Sequence, residues 1–281
     1  MKSVEIVTTT SELRARISHW RGNGDRIGLV PTMGALHEGH LSLVRETQSC
    51  CDRTVASIFV NPAQFAPHED FDRYPRTLES DADKLSKADV DLIFAPSVAE
   101  MYPTGFATRI EVGGPSAGLE TDFRPHFFAG VATVVSKLLI AAMPDYAIFG
   151  EKDYQQLLVI RRMVADLGLP IEIAGGAIIR EVDGLAMSSR NAYLNPDQRK
   201  IAGQLNRVLH DVKRKLRFSN SVRTAEESTR EELLKAGFDC VDYVAIRDAA
   251  TLAPIESIDG AARILAAVRI GGTRLIDNMA V

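Results

Sequence analysis

Cysteine is scarce in this chain of 281 residues: Cys50 and Cys51 stand side by side, and Cys240 lies far downstream. That excludes a disulfide framework and a C-x-x-C metal pair, and it points to a reducing compartment. Long apolar runs are missing too. The longest, from Gly130 to Met143, is broken by Lys137 and falls short of the ~20 residues that a spanning helix needs. The opening Met-Lys-Ser-Val-Glu-Ile-Val lacks the apolar centre of a secretory signal, so a cytoplasmic protein with no membrane partner is expected. Positive charge is not in excess. Lys and Arg number 33 against 37 Asp and Glu, a net charge of −4, which argues against a general nucleic-acid binder.

Familiar motifs are absent as well. There is no G-x-x-x-x-G-K-[ST], hence no P-loop. Gly22-Asn-Gly24 precedes an apolar run instead of following one, so it is no dinucleotide fingerprint. His37-Glu38 begins like the zinc-protease H-E-x-x-H, but position 41 is Leu and the second histidine is His40. That placement is off the i, i+4 arrangement that holds zinc.

Short apolar runs alternate with helical patterns through the first part of the chain. Residues 4–7 read as a strand, and Thr9-x-x-Glu12 as a capping box for a helix to about Trp20. A strand at 27–30 precedes a helix over about 39–48. The β-rich stretch 54–60 stops at Asn61-Pro62, a turn signal. A helix is expected over 80–88 and a strand at 92–94. A long helix over 127–142 is stopped by Pro144, a strand follows at 146–149, an amphipathic helix covers 154–167, and a last strand lies at 171–173. This alternation predicts an α/β fold, a Rossmann-like doubly wound parallel sheet. After about residue 175 the texture changes. Asn195-Pro196-Asp197 opens a helix to about Leu216, residues 219–223 read as a connector, a helix spans 225–236, and strands lie at 242–246 and 264–270. Two units are therefore expected: a Rossmann-like nucleotide-binding domain over 1–176 and a smaller C-terminal α+β domain over 177–281.

In open parallel sheets ligands bind beyond the carboxyl ends of the strands, and the polar segments 31–40, 61–65 and 150–153 all follow predicted strands. Pro31-Thr-Met-Gly-Ala-Leu-His37-Glu-Gly39-His40 sets two imidazoles at a helix start, where unpaired N–H groups and a partial positive charge suit an anion. Histidines three apart share a helix face, so His37 and His40 are placed to touch one phosphate, and Gly39 leaves room for a ligand against the backbone. Met187-Ser188-Ser189-Arg190 offers two hydroxyls and a guanidinium whose planar fork suits phosphate. Lys152 suits developing phosphate charge and Asp153 suits ribose hydroxyls. Asn61, Gln64 and one of Gln155 and Gln156 suit a small polyhydroxy acid. Arg124 suits a second carboxylate, while Phe127 and Phe128 read as core or pocket wall.

H-x-G-H followed by M-S-S-R resembles the HIGH and KMSKS signatures of the nucleotidyltransferase superfamily, which includes class I aminoacyl-tRNA synthetases. Longer stretches are similar to the pantothenate synthetase (pantoate–β-alanine ligase) family. They are Pro31 to His40, Phe59-Val-Asn-Pro-x-Gln-Phe65, Tyr74-Pro-Arg-Thr77, Phe149-Gly-Glu-Lys-Asp-Tyr-Gln-Gln156, Asp183-Gly-Leu-Ala-Met-Ser-Ser-Arg-Asn191 and Thr273-Arg-Leu-Ile-Asp-Asn278, in order over nearly the whole chain.

The resemblance implies a two-step ligation. ATP and pantoate give pantoyl adenylate and pyrophosphate; the amine of β-alanine then gives pantothenate and AMP. His37 and His40 would contact the triphosphate, with Lys152, Ser188, Ser189 and Arg190 on the phosphates. Gly39, Ile179 and Met187 would border the nucleotide, and Gly150 and Asp153 its ribose. Met33 would lie between ATP and a pantoate pocket shared with Gln64 and Gln156. Asn61, Tyr74 and Arg124 would lie near β-alanine. The resemblance further implies a homodimer, a C-terminal unit acting as a lid, and Mg²⁺ bridging phosphate oxygens, for which Asp81 is a candidate ligand. No protein nucleophile is needed, because the substrate carboxylate attacks the α-phosphate and catalysis is positioning plus charge stabilisation. One departure is visible. The family often reads Arg-Pro-Gly-His-Phe-x-Gly-Val, whereas this chain has Arg124-Pro-His126-Phe-Phe-Ala-Gly-Val131, which sets Phe127 where the family has histidine. A nucleotidyltransferase acting on a phosphorylated small molecule is the alternative reading, and a non-enzymatic nucleotide-binding regulator the third.

Overall fold

Residues 4–66, 69–216 and 221–281 are described by the computed structural model. Six strands build the first sheet: β1 (Glu5–Val7), β2 (Ile27–Thr32), β3 (Arg53–Ile58), β4 (Leu92–Phe94), β5 (Tyr146–Gly150) and β6 (Glu172–Gly176). They lie in the order β1-β4-β3-β2-β5-β6, and every pair is parallel. The order reverses between β2 and β5, which opens a crevice at the carboxyl ends of those strands.

Side chains alternate across a strand, and here both faces are apolar. Leu29, Val55, Phe94, Ala147 and Phe149 point to one core, packed by helices Thr10–Gly22, Phe127–Ala142 and Tyr154–Asp166. Val30, Ala56, Ile93 and Ile148 point to the other, packed by helices Glu38–Gln48 and Leu78–Lys87. A sheet covered on both sides is what unbroken apolar strands specify. The capping box forms as expected: Glu12 N–H donates to Thr9 Oγ1 at 3.2 Å and Thr9 N–H to the Glu12 carboxylate at 3.0 Å. Helix Phe127–Ala142 is buried over most of its surface and stops at Met143, left-handed at φ 42°, just before Pro144.

Three antiparallel strands form the second sheet: β7 (Cys240–Asp248), β8 (Ala262–Ile270) and β9 (Thr273–Ala280). Helices Gln204–Leu216 and Val222–Lys235 cover one face through Leu205, Leu209, Val212 and Leu233.

The expected α/β architecture with a smaller α+β portion stands, and its errors have physical causes. The helix expected from Asn195 to Leu216 is two, Pro196–Ala202 and Gln204–Leu216. They part at Gly203, where a Cβ would lie 2.5 Å from the Asp183 carboxylate. Strand 171–173 is shifted to Glu172–Gly176 by its ladder with β5, and Ile171 serves as core before it. The sequence marks β9 only as part of a motif. Asp277 and Asn278 are polar yet only 2% exposed, which spoils the apolar alternation that announces a strand. Residues 219 and 220 of the expected connector lie outside the described residues; Ser221 caps the helix that follows. No helix among the described residues is long and apolar enough to cross a membrane.

Candidate active site

β2 ends at Thr32, and the loop that follows needs two left-handed residues in succession, Gly34 (φ 83°) and Ala35 (φ 50°), to turn into helix Glu38–Gln48. Helix Leu78–Lys87 braces this loop. The fully buried Asp81 carboxylate accepts from Ala35 N–H and Leu36 N–H, both at 2.8 Å, and from Thr77 Oγ1 at 3.0 Å. Lys84 Nζ donates to Leu36 O at 2.7 Å. This corrects the reading of Asp81 as a magnesium ligand, because its oxygens hold the loop from behind and do not line the cleft. Among the described residues no cluster of three or more His, Cys, Asp or Glu is arranged to hold a metal.

The two histidines are fixed by the helix they open. His37 Nδ1 accepts from Gly39 N–H at 3.2 Å, and His40 Nδ1 accepts from His37 N–H at 3.3 Å. An imidazole nitrogen that accepts is unprotonated, so in the neutral ring the proton sits on Nε2. Each ring therefore turns an Nε2–H donor outward, with the ring centroids 4.1 Å apart. Burial, with Lys152 and Lys84 adding to it, pushes His37 down to about 4. Burial, then His37, then the two lysines push His40 down to about 3. Both are neutral donors at pH 7, and Gly39 between them is a necessity of packing, since a Cβ there would meet the His37 ring at 2.9 Å.

These shifts carry a stability prediction. The unfolded imidazoles take up protons below about pH 6.5, whereas the folded ones refuse them until about 4 and about 3. The unfolded state thus binds more protons in that window, and stability is lost as pH falls from 6.5 toward 4. His40→Asn keeps a cap acceptor and removes the titrating group, so urea unfolding across that window should depend less steeply on pH than in the parent. An unchanged slope would show that the His40 ring titrates normally.

A second set of groups faces the histidines. β5 runs into a 3₁₀ turn, Glu151–Asp153, that carries Lys152, its Nζ 3.9 Å from the Asp153 carboxylate. Residues 179–187 form a small hairpin: Met187 N–H donates to Ile179 O at 3.0 Å, and Gly184 (φ 90°) makes the turn. The hairpin delivers Ser188, whose Oγ accepts from Arg190 N–H at 3.3 Å and starts the 3₁₀ turn Ser189–Tyr193. A Cβ added at Gly39 would come within 3.8 Å of Met187 Cβ, so the two motifs are neighbours across the cleft.

The remaining wall comes from the loop after β3 and from helix Phe127–Ala142. Asn61 has all its hydrogen-bonding positions occupied within the protein. Nδ2 donates to Gln64 Oε1 (3.1 Å) and Gly130 O (3.2 Å), while Oδ1 accepts from Ala63 N–H (3.2 Å) and Tyr102 OH (2.7 Å). It holds Gln64, whose Nε2 reaches Met33 Sδ at 2.9 Å. Gln155 is likewise fully engaged, on Glu120 N–H, Pro115 O and Gly118 O, which leaves Gln156 as the amide of that pair suited to a ligand. Tyr74 OH lies 3.1 Å from Ser189 Oγ, nearer the phosphate-type loop than expected.

Both arginines are pre-oriented by neighbouring acids that the sequence reading passed over. Arg124 pairs with Glu69 at 2.5 and 2.8 Å, and Arg190 with Asp70 at 2.9 and 3.0 Å. Burial alone would raise both acids, but the guanidinium bonds hold their carboxyls below the usual range. Nothing local in the sequence marks these acids, because each partner is distant in the chain. The family's histidine position is filled by Phe127, whose ring carries the Arg124 guanidinium 3.7 Å above its centre; the exposed His126 precedes the helix and does not line the cleft.

The candidate site residues, Asp81 apart, line one cleft of about 560 Å³, between the carboxyl ends of β2 and β5 and the edge of the second sheet. They are Met33, His37, Gly39, His40, Asn61, Gln64, Tyr74, Arg124, Gly150, Lys152, Asp153, Gln156, Ile179, Met187, Ser188, Ser189 and Arg190.

Comparison with known proteins gives a consistent picture. Residues 5–280 match the family model for pantoate-beta-alanine ligase. The chain is 57% identical to the pantothenate synthetase of Paramagnetospirillum magneticum, over 99% of this chain and 98% of that one. The crystal structure of pantothenate synthetase from Thermus thermophilus superposes with a TM-score of 0.92 at 49% identity, covering 98% of this chain and 99% of that one. The pantoate-beta-alanine ligase from Francisella tularensis, a complex with beta-gamma ATP and beta-alanine, superposes with a TM-score of 0.82 at 33% identity, covering 98% and 97%. With its motifs gathered in one cleft and its whole length matched, this chain belongs to the pantoate–β-alanine ligase family.

Proposed function

We propose that this protein uses ATP to condense pantoate with β-alanine. The pantoate carboxylate attacks the α-phosphate, giving pantoyl adenylate and pyrophosphate; the β-alanine amine then attacks the acyl carbon, giving pantothenate and AMP. The observation that supports this reading is that His37, Gly39 and His40 line the same cleft as Met187 to Arg190, far away in sequence, an arrangement suited to two phosphate-binding elements sharing one ligand.

The residues divide the work by chemistry. His37 and His40 offer fixed neutral Nε2–H donors beside a helix N-terminus, which suits phosphate oxygens without an ion to desolvate. Lys152, Ser188, Ser189 and Arg190 take the charge that grows as pyrophosphate leaves, a task for preorganised donors. Gly150 and Asp153 suit the ribose; Ile179, Met187 and Gly39 border the nucleotide. Met33, Gln64 and Gln156 form the pantoate wall, and Arg124, steadied by Phe127 and Glu69, the carboxylate end for β-alanine. Asn61 acts by holding Gln64, and Tyr74 by meeting Ser189. Mg²⁺ would arrive with ATP. There it would supply positive charge to the phosphate oxygens. The division at 176/177, a homodimer and a cytoplasmic location belong to the same reading; light scattering at twice 30.7 kDa tests the dimer.

Closure of the C-terminal unit over the cleft is expected, because the loop that carries Ser188 to Arg190 sits at its start. ATP plus pantoate should then protect residues 187–190 from protease, and equal cleavage with and without ligands would count against closure. The reaction is tested by pyrophosphate release from ATP and Mg²⁺ with pantoate, β-alanine being added or withheld. Turnover that needs both substrates and yields AMP supports the ligase; no pyrophosphate under any of these conditions rejects it.

A further inference from the structure

β9 carries a pair of residues with no reason to be polar if their only task were packing. Asp277 and Asn278 are adjacent, each 2% exposed, and adjacent strand residues point to opposite faces. Asn278 Nδ2 donates to two carbonyls, Glu151 O and Lys152 O, both at 2.8 Å. Its Oδ1 accepts from Arg263 Nη1 at 2.8 Å, and Arg263 Nη2 reaches the Glu151 carboxylate at 3.0 Å. The carboxamide thus seizes the backbone of the turn that presents Lys152.

Asp277 holds the other segment. Its carboxylate pairs with Arg180 at 2.7 and 2.9 Å and accepts from Asn278 N–H at 2.8 Å. Arg180 pairs with Ala186 across the hairpin and donates to Gly184 O at 3.0 Å. One residue of β9 thus grips the lysine turn, and the next grips the base of the loop that ends in Ser188, Ser189 and Arg190.

We propose that Asp277 and Asn278 are positioning residues that set the distance between Lys152 and the serine–arginine loop, so that both reach the same triphosphate. This rests on the ligase reading above for its chemistry, and on geometry alone for its mechanics. Half-buried carbonyls that lose their donors are left partly unsatisfied, so the turn should shift or open when Asn278 is truncated.

The experiment measures both half-reactions and local hydrogen exchange in the full chain. Asn278→Ala should lower pantoate-dependent ATP–pyrophosphate exchange roughly 30- to 100-fold, the scale of a group displaced by about 1 Å. Aminolysis of supplied pantoyl adenylate should stay within about threefold, since no pyrophosphate leaves in that step and the charge on Lys152 has less to do. In a Lys152→Ala background the same substitution should cost less than about threefold, as expected of residues acting through one group. Amides 150–156 should exchange faster in Asn278→Ala, and amides 186–191 in Asp277→Asn. Equal losses in both backgrounds, parallel falls in both half-reactions, or unchanged exchange at both segments would overturn the proposal. Should Asn278→Ala fail to fold, Arg263→Lys, which keeps the charge and drops the bond to Asn278 Oδ1, should show the same split at smaller size. Absence of activity in the parent protein would reject the ligase reading alone, because the hydrogen-exchange arm does not depend on it.

Discussion

Lys152→Ala should lower pantoate-dependent pyrophosphate release roughly 10²- to 10³-fold, the loss that follows removal of a preorganised charge-stabilising group. Lys152 is the one lysine lining the cleft among the described residues. Arg124 and Arg190 are already paired with Glu69 and Asp70, and both histidines are neutral, so the ammonium is less committed to the protein than either of those guanidinium groups. Its side chain is 21% exposed, and its partner Asp153 lies at a loose 3.9 Å, so it is free to answer charge that appears only as the α–β phosphate bond breaks. The loss should fall mainly on the rate, with ATP affinity changing less than about tenfold, because an interaction made chiefly in the transition state leaves ground-state binding nearly intact. A second effect has a definite sign. Lys152 helps to push both histidines down, so removing it should move their titration to higher pH. A rate within about fivefold of the parent would remove Lys152 from the list of groups that stabilise developing charge.

Gly130→Ala should destabilise the fold by about 1–2 kcal/mol, against the sign that helix propensity gives. In a helix interior, glycine to alanine ordinarily gains about 1 kcal/mol. Here the added Cβ would lie 2.2 Å from Ala63 O and 2.8 Å from Gln64 N, which are backbone atoms with no rotamer to swing. Overpacking of that kind costs roughly 1–3 kcal/mol and occasionally more, so the steric effect wins. The consequence reaches the cleft, since Asn61 and Gln64 sit on the turn that must retreat, and Asn61 donates to Gly130 O. Urea unfolding and the KM for pantoate should worsen together. Gly22→Ala, where no atom lies within 4 Å of the new methyl, is the control; equal stability in the two variants would remove the steric argument.

The sheet was legible because its strands are apolar on both faces and its helices carry their own punctuation, as Thr9 with Glu12 and Pro144 after Ala142 show. The site was legible in part. His37, Gly39, His40 and Met187 to Arg190 stand in runs long enough to be specific, and the chemistry of phosphate needs those donors wherever the chain folds. Asp81 misled because a carboxylate near a nucleotide motif looks like a metal ligand, whereas its oxygens are taken by the N–H groups of a loop.

By itself, then, the sequence determined the alternation of strands and helices in the first sheet and which residue types line the cleft. These are properties of period, capping and local composition. The tertiary structure alone decided which acids restrain Arg124 and Arg190, which of two adjacent glutamines is engaged, and why β9 buries Asp277 and Asn278. Each of those depends on a partner many residues away in the chain. Through-space hydrogen bonds and burial have no local periodicity, so nothing along the chain announces them before it folds.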